Sequence, residues 1–254
     1  MEKQTIKNRK GQDIVVLIEV CENSKGLAFV MHGFSGNKEQ PHIATIADAL
    51  KEKNYSVIRF DTTNTFGESY GKLEDATLTN YLEDLEDVVD WSKKQKWYEE
   101  PFILAGHSLG AISIILYAEK FPEKVRALAP LSTVISGKLS LETKENIDLE
   151  KWKKEGIREW LSHSGKVKRV KWQHMEDRMK YDVLPGAERL KMPILFVTGE
   201  KDTSTPEEHQ RILYKKVKGK KEFHVIQGSE HTFRSPEELA EIKKILGNWL
   251  DQIS

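Results

Sequence analysis

Ser108 is the residue whose surroundings most clearly indicate a nucleophile. It lies at the centre of the segment Gly-His-Ser-Leu-Gly, residues 106–110, with an apolar strand-like run before it and an apolar helical pattern directly after it. A strand, a G-x-S-x-G turn and a helix form a nucleophile elbow, which exposes the serine Oγ above a sheet. The two glycines allow the strand and the helix to approach each other closely. The sequence therefore predicts that Ser108 is the nucleophile of a covalent mechanism.

A second G-x-S-x-G, at residues 67–71, has a different setting. Its serine, Ser69, is preceded by Thr-Thr-Asn-Thr and is followed, after Tyr-Gly, by Lys-Leu-Glu-Asp. No strand runs directly into this motif and no apolar helix leaves it, and such polar flanks are typical of a loop. We therefore predict a role in loop structure for Ser69.

A serine hydroxyl needs a base that removes its proton, and the base needs an acid that orients it. Among the eight histidines, His231 follows the strand-like run 223–226 and precedes a helix that begins near residue 236. Loops at the carboxyl edge of a parallel sheet are where doubly wound folds gather their chemistry. His231 is therefore the predicted base.

The acid is expected in the turn that follows the apolar run 194–198. This turn carries two carboxylates, Glu200 and Asp202. Either could orient the histidine, and the alternative role of both is to cap the turn. Asp61 also ends an apolar strand, but it precedes Ser108 in the chain, so the order nucleophile, acid, histidine excludes it.

Two backbone amides are expected to bind the oxyanion that forms during acyl transfer. The amide of Leu109, the residue after the predicted nucleophile, supplies the first. The turn His32-Gly33-Phe34 follows the apolar run 27–31 and supplies the second through the amide of Phe34.

Short apolar runs rich in β-branched residues alternate with helical patterns along most of the chain. The predicted strands are residues 14–20, 27–31, 55–60, 102–105, 125–131, 194–198 and 223–226, and the helical patterns include 43–50, 78–91, 111–121 and 239–250. This alternation indicates an α/β fold with a mostly parallel, doubly wound sheet covered on both faces. Two strand-like runs joined at residues 10–12 predict an antiparallel hairpin at the N-terminal edge of the sheet.

One long interval, between residues 131 and 192, interrupts the alternation. It predicts a core domain made of residues 1–135 and 192–254, with a helical cap inserted at residues 136–191 and helices at 146–160 and 167–179. Aromatic residues of the cap either pack it onto the core or line a substrate pocket, and the candidate pocket residues are Trp152, Trp160, Trp172 and Met175. Basic residues exceed acidic ones in the cap by only four, 14 against 10, which is too small a difference to predict an anionic substrate.

The composition argues against several classes of function. Forty basic and forty acidic residues cancel, so no overall charge favours nucleic acid or an anionic membrane. The single cysteine, Cys21, excludes an intrachain disulfide, and the N-terminal residues lack the apolar core of a signal peptide. No apolar run approaches the roughly 18 residues that span a bilayer. These features predict a soluble, cytoplasmic protein with no membrane span.

Taken together and in chain order, these motifs resemble those of the α/β-hydrolase superfamily over nearly the whole chain. The matching segments are His32-Gly33-Phe34 and residues 106–110, 199–202 and 228–231. Within the superfamily the chain is similar to small bacterial esterases of the feruloyl/cinnamoyl type, and to relatives described as serine aminopeptidases or monoacylglycerol lipases. The resemblance implies an α/β-hydrolase fold, no cofactor, and a triad of Ser108, Asp202 and His231. The chain departs from such esterases before Ser69, where the glycine-histidine-glycine step that many of them carry is absent.

The resulting functional hypothesis is a serine hydrolase that cleaves small to medium carboxylic esters, of short-chain acyl or aryl/hydroxycinnamoyl type, through an acyl-enzyme. A peptidase or amidase, such as an aminopeptidase, and a lipase are alternatives because the same triad serves them. A non-catalytic binding protein on a hydrolase scaffold is a third. The sequence contains neither a metal-binding histidine pair with supporting ligands nor a nucleotide-binding loop, so no metal is expected. The state of assembly is left open, with a homodimer as one alternative.

Overall fold

The computed structural model describes residues 1–143, 147–161, 165 and 167–253, and the strands and helices below are those of this part of the chain. The strands are β1 (Glu2–Lys7), β2 (Asp13–Glu19), β3 (Leu27–Met31), β4 (Ser56–Phe60), β5 (Phe102–His107), β6 (Val125–Leu131), β7 (Ile157–Leu161), β8 (Val167–Lys171), β9 (Ile194–Gly199) and β10 (Lys221–Ile226). The helices are α1 (Pro41–Glu52), α2 (Leu78–Ser92), α3 (Leu109–Lys120), α4 (Gly137–Glu142), α5 (Leu149–Glu155), α6 (Gln173–Arg178), α7 (Glu207–Lys216) and α8 (Pro236–Ile253).

Eight strands form one sheet in the order β1-β2-β4-β3-β5-β6-β9-β10. Six strands of this sheet run parallel to one another: β4, β3, β5, β6, β9 and β10. Strand β2 is antiparallel to both β1 and β4. The predicted mostly parallel sheet with an antiparallel N-terminal edge is therefore confirmed. Because these six strands are parallel, the loops that follow β3, β5, β9 and β10 lie at the same edge of the sheet.

Both faces of the sheet are covered by helices, as the nearly continuous apolar strands require. Successive side chains of a strand point to opposite faces. In β3, Phe29 and Met31 belong to the cluster that includes α2, α3 and α7. Ala28 and Val30 belong to the cluster that includes α1 and α8. This division into two cores is that of a doubly wound α/β fold.

The segment between β6 and β9 differs from the two helices predicted there. Helix α5 ends at Glu155, and Gly156 follows it in the left-handed conformation with φ of 75°. Residues 157–161 and 167–171 then form the two antiparallel strands of the β7–β8 hairpin in place of helix, and only α6 falls within the predicted 167–179. The predicted helices at 146–160 and 167–179 are therefore wrong over the two strands, and residue 146 lies outside the described residues. The left-handed glycine is the local reason, because it stops a helix where the apolar spacing alone would continue it.

The N-terminal end of α2 holds α6 in place. The Asp177 carboxylate accepts hydrogen bonds from the Thr79 amide at 2.8 Å and from the Thr79 hydroxyl at 2.6 Å. One residue cluster of this segment, which includes Trp152, Val170 and Met175, also packs against Phe34 of the core. Within the described residues, no helix has both the length and the apolar composition needed to cross a membrane.

Glu119, near the end of α3, is expected to make stability depend on pH. Its Oε1 is buried without a hydrogen-bond partner, and burial raises the pKa of Glu119 from 4.5 to about 8. The folded state therefore holds the proton more tightly than the unfolded state, so this contribution to stability is complete below pH 4.5 and is lost as pH rises towards 8. Glu119→Gln, which cannot ionise, is expected to raise Tm relative to the native protein at pH 8 and to change it little at pH 4.5. Thermal unfolding across this range measures the difference, and exposed Glu123→Gln is the control; an equal Tm shift at both pH values would contradict the prediction.

Candidate active site

The turn between β5 and α3 has the strained geometry of a nucleophile elbow. Ser108 has φ of 53° and ψ of −112°, a combination that few non-glycine residues adopt. A Cβ on Gly110 would lie 2.5 Å from the carbonyl oxygen of His32, and a Cβ on Gly106 would lie 2.9 Å from the carbonyl carbon of Gly110. Both positions of the motif are therefore restricted to glycine by the close approach of backbone atoms.

Ser108, His231 and Asp202, which are far apart in the sequence, lie in direct contact. His231 Nε2 is 2.9 Å from Ser108 Oγ, and His231 Nδ1 is 2.9 Å from Asp202 Oδ2. A carboxylate can only accept a hydrogen bond, so the ring proton lies on Nδ1, and Nε2 is free to accept the serine proton. The Asp202 side chain is fully buried, while a quarter of the His231 side chain is exposed at the cavity.

The turn after β9 distinguishes between the two candidate acids. Asp202 Oδ1 accepts hydrogen bonds from the Ser204 and Thr205 amides, and its Oδ2 accepts one from the Thr205 hydroxyl. Burial by itself would raise the pKa of Asp202, but the bond and charge of His231 together with the Thr205 bonds outweigh it and lower the pKa. Glu200 instead accepts a bond from the Gly228 amide at 2.8 Å, which ties down the loop that carries His231.

The loop after β3 passes directly against Ser108. A Cβ on Gly33 would lie 3.0 Å from the Ser108 Cβ, and Phe34 lines the same cavity as Ser108. Leu109 is the first residue of α3, where an amide has no acceptor within its own helix. Leu109 thus adjoins Ser108 in the chain, and the loop that carries Phe34 packs against Ser108.

Three hydrogen bonds hold the carbonyl oxygen of Gly33. It accepts from the Tyr81 hydroxyl at 3.0 Å, from His32 Nδ1 at 2.8 Å and from the Gly36 amide at 3.0 Å. The Gly33 carbonyl and the Phe34 N–H belong to one planar trans peptide and point in opposite directions. Fixing the carbonyl therefore fixes the direction of the Phe34 N–H. The sequence did not reveal this role of Tyr81, because Tyr81 lies 48 residues from Gly33 on α2.

His32 is held as a neutral ring in this arrangement. Its Nε2 accepts a hydrogen bond from the Thr62 amide at 3.1 Å, so Nδ1 carries the proton that is donated to Gly33. Complete burial lowers the pKa of His32 and keeps the ring uncharged. His32 is thus part of the support of the Phe34 peptide and not an alternative base.

His107, the second residue of the elbow motif, orients the backbone of the predicted base. Its Nε2 lies 2.8 Å from the carbonyl oxygen of His231, and only a protonated nitrogen can donate to that oxygen. Burial, followed by the neighbouring His42 ring at 4.5 Å, holds the pKa of His107 well below its ordinary range. A neutral His107 therefore positions His231 without adding charge beside it. Only the place of His107 inside the motif could have indicated this role.

Ser69 has the loop role that its polar flanks indicate. Its hydroxyl donates to the Asp61 carbonyl at 2.7 Å and accepts from the Val15 amide at 2.8 Å. The Asp61 carboxylate, which the chain order excluded from the site, forms an ion pair with buried Lys38 at 2.8 Å. Both residues thus stabilise the loop after β4.

Ser108 opens into a cavity of about 690 Å³ between the core and the segment that follows β6. Three of the four candidate pocket residues, Trp152, Trp160 and Met175, line it. Trp172 does not belong to this wall and packs edge-on against Trp152, with ring centroids 5.3 Å apart. In the described part of the chain, no group of three or more histidine, cysteine or carboxylate side chains is placed to hold a metal ion.

Comparisons with known proteins point to one family. Residues 22–182 match the family described as "Serine aminopeptidase, S33". The mitochondrial palmitoyl-protein thioesterase ABHD10 of Bos taurus is 26% identical over 196 residues, covering 72% of this chain and 58% of that protein. The match to its counterpart of Mus musculus covers 60% of that protein, so this chain spans less than two thirds of the length of these curated relatives.

Solved structures show the same architecture. Est1E from Butyrivibrio proteoclasticus, in a structure with bound ferulic acid, is 25% identical, and the alignment covers 98% of both chains with a TM-score of 0.83. Alpha/beta hydrolase domain-containing protein 10 from mouse is 18% identical over the whole of both chains, with a TM-score of 0.79, and shows the shared fold. Because the family match covers more than half of the chain, this protein belongs to the serine aminopeptidase S33 family of the α/β-hydrolase superfamily.

Proposed function

We propose that this protein hydrolyses carboxylic esters or thioesters through an acyl-enzyme formed on Ser108. The observation that carries the proposal is the pair of 2.9 Å contacts that link Ser108 Oγ to His231 and His231 to the buried Asp202. A serine activated in this way attacks acyl carbonyl groups. Two similar proteins support the proposal: ABHD10 is a palmitoyl-protein thioesterase by name, and Est1E was solved with ferulic acid bound.

The proposed reaction has two steps. Ser108 Oγ attacks the substrate carbonyl carbon while His231 Nε2 takes the hydroxyl proton. His231 then gives this proton to the leaving oxygen or sulfur as the bond to the carbonyl carbon breaks. In the second step a water attacks the acyl-enzyme, His231 removes its proton, and Ser108 regains a proton as the acid leaves. Asp202 stays ionised and stabilises the imidazolium in both steps.

The amides of Phe34 and Leu109 are proposed to bind the oxyanion of both tetrahedral intermediates. The three bonds on the Gly33 carbonyl support this role, because they orient the Phe34 N–H before substrate arrives. Preorganised donors of this kind need no rearrangement in the transition state.

Tyr81→Phe is expected to lower kcat by about 3- to 10-fold with little change in KM, because it removes one of three neutral bonds on Gly33. The ring and its packing are kept. Steady-state kinetics with p-nitrophenyl butyrate separates kcat from KM, and melting curves check the fold. A variant with a raised KM and an unchanged kcat would assign Tyr81 to substrate binding and not to orientation of the amide.

The cavity favours an ester over an aminopeptidase substrate. An aminopeptidase must bind a positively charged α-ammonium group, for which a carboxylate is the matching partner. Among the described residues that line the cavity there is no aspartate or glutamate, while arginine and lysine contribute four side chains. The peptidase therefore remains the second candidate, to be decided by substrate.

A fluorophosphonate probe tests the proposed function directly. We expect a covalent adduct on Ser108 in the native protein, detected by peptide mass spectrometry, and none in Ser108→Ala. The same protein is expected to hydrolyse p-nitrophenyl butyrate and to leave alanine p-nitroanilide uncleaved. No adduct and no ester turnover would refute the proposal, and faster cleavage of the anilide would replace the esterase by an aminopeptidase.

A further inference from the structure

The hairpin of β7 and β8 directs one of its faces into the cavity above Ser108. The register pairs Arg158 with Val170 and Trp160 with Lys168, and residues two apart on a strand lie on the same face. All four side chains line the cavity. Two of these four carry a positive charge, and the neighbouring Arg169 lies on the opposite face in an ion pair with Glu159 at 2.7 Å.

Arg178, the last residue of α6, adds a third positive charge to the lining of the cavity. Only 8% of this residue is exposed, and among the described residues no carboxylate forms an ion pair with it. One of its nitrogens donates to His174 Nε2 at 2.9 Å, while its Nε is buried without a hydrogen-bond partner. A buried guanidinium without a counter-ion is costly, so a group that supplies a negative charge would be bound favourably there.

Arg234 and Lys168 add further positive charge to the cavity and so also favour the binding of a negatively charged group. Arg234 also lines the cavity; its guanidinium lies 3.7 Å from the exposed Glu230 carboxylate, and its backbone amide donates to the Glu238 carboxylate at 2.6 Å. Lys168 donates to the Ser35 hydroxyl at 2.6 Å and has no ion pair among the described residues. Burial, and then the positive charge of Arg234, lower the pKa of Lys168, while burial lowers the pKa of Arg178 to about 10. Lys168 and Arg234 are therefore like charges that lie close enough to repel each other.

Arg178 is also linked to the predicted oxyanion loop. The His174 ring that accepts its bond packs against the Phe34 ring, with centroids 4.6 Å apart. His174 Nδ1 is fixed by the carbonyl of Ala76 at 2.9 Å. A ligand group held by Arg178 thus lies in the same cavity as a carbonyl group bound at Ser108, and one molecule can reach both.

From this geometry we propose that the substrate is anionic: an ester or thioester that carries a carboxylate or phosphate group, which Arg178, Lys168, Arg158 and Arg234 bind. The inference rests on the proposed esterase function and names its substrate class. The planar guanidinium of arginine can donate two parallel hydrogen bonds to two oxygens of either anion, and such charge-assisted bonds are stronger than neutral ones.

Matched substrate pairs test the proposal. Mono-p-nitrophenyl adipate and p-nitrophenyl hexanoate differ only at the far end of the acyl group, which is a carboxylate in the first and a methyl group in the second. The pair of 4-acetoxybenzoate and its methyl ester places the charge on the leaving group, and 4-acetoxyphenyl phosphate replaces the carboxylate by phosphate. We expect kcat/KM for the anionic member to exceed that of the neutral one by about tenfold or more in at least one pair, and the ratio to fall as salt is added.

Variants then identify which side chains bind the anionic group of the substrate. Lys168→Met is expected to lower the anionic-to-neutral ratio by several fold, while Arg169→Met, the same loss of charge on the opposite face of β8, keeps the native ratio. Arg178→Met is expected to lower the ratio by about tenfold, and Arg178→Lys to restore part of it. Because a ratio is measured within each variant, partial loss of folded protein does not affect it.

The outcomes separate this inference from the proposed function. Preference for the neutral member of every pair, or a ratio independent of salt, overturns the anionic substrate class while ester turnover and fluorophosphonate labelling still support the esterase. Should Arg178→Met fail to fold, the native protein's ratio and its salt dependence decide alone. Equal ratios in Lys168→Met and Arg169→Met would also overturn the assignment of the hairpin face.

Discussion

Ser108→Ala is expected to lower kcat/KM for p-nitrophenyl butyrate by on the order of 10⁴- to 10⁶-fold, because no acyl-enzyme can form without the hydroxyl. The alanine removes one oxygen and keeps the backbone conformation that the elbow requires, so Tm should remain close to that of the native protein. Stopped assays at high enzyme concentration are needed to measure the residual rate.

The second G-x-S-x-G motif supplies the control for this experiment. Ser69→Ala changes the same residue type in the same pattern, but its hydroxyl bridges the Asp61 carbonyl and the Val15 amide in a loop. It is expected to lower Tm and to leave the turnover of the folded enzyme near the native value. Loss of activity in Ser69→Ala with retention in Ser108→Ala would reverse the assignment of the two serines.

Asp202→Asn is expected to lower kcat by about 10⁴-fold with a smaller change in KM. An amide placed beside His231 can donate to Nδ1, which favours the tautomer whose proton lies on Nε2. That proton then faces Ser108 Oγ, and the ring can no longer accept the serine proton. The asparagine oxygen can still accept from the Ser204 and Thr205 amides, so the turn is expected to keep its shape.

Glu200→Gln is the matched control, since it changes the other carboxylate of the same turn. Its amide oxygen can still accept the bond from Gly228, and most of the activity should remain. The assignment of the acid fails if Asp202→Asn retains more than a tenth of the native kcat, or if Glu200→Gln loses as much as Asp202→Asn.

Pattern recognition along the chain was sufficient for the elements that depend on neighbouring residues. The apolar runs at β3, β5 and β9 predicted strands, and the glycines around Ser108 predicted the turn, because these preferences act over a few residues. Strands that alternate with helices must pack as a parallel sheet, so their carboxyl ends share one edge. The grouping of Ser108 with His231 followed from that rule.

The segment between β6 and β9 was predicted less well because its local signals conflict. Apolar spacing at residues 146–160 favours a helix, but Gly156 and the pairing of β7 with β8 favour a hairpin. Strand pairing depends on a partner strand, and the apolar periodicity of one segment gives no information about that partner. A strand places different side chains on one face than a helix does, and in the hairpin Arg158 and Lys168 lie on the same face.

The contact between the predicted nucleophile and its predicted base could therefore be expected from residue types and their order, since local turns and sheet topology limit where they can lie. Residue types alone left Asp202 and Glu200 open, and the family resemblance favoured Asp202. The support of the Phe34 peptide by Tyr81 and the convergence of four positive charges on one cavity required the folded chain. These features depend on contacts between residues far apart in sequence. Such contacts depend on how the layers pack. The count of 14 basic against 10 acidic residues over residues 136–191 does not show which of these side chains face the cavity.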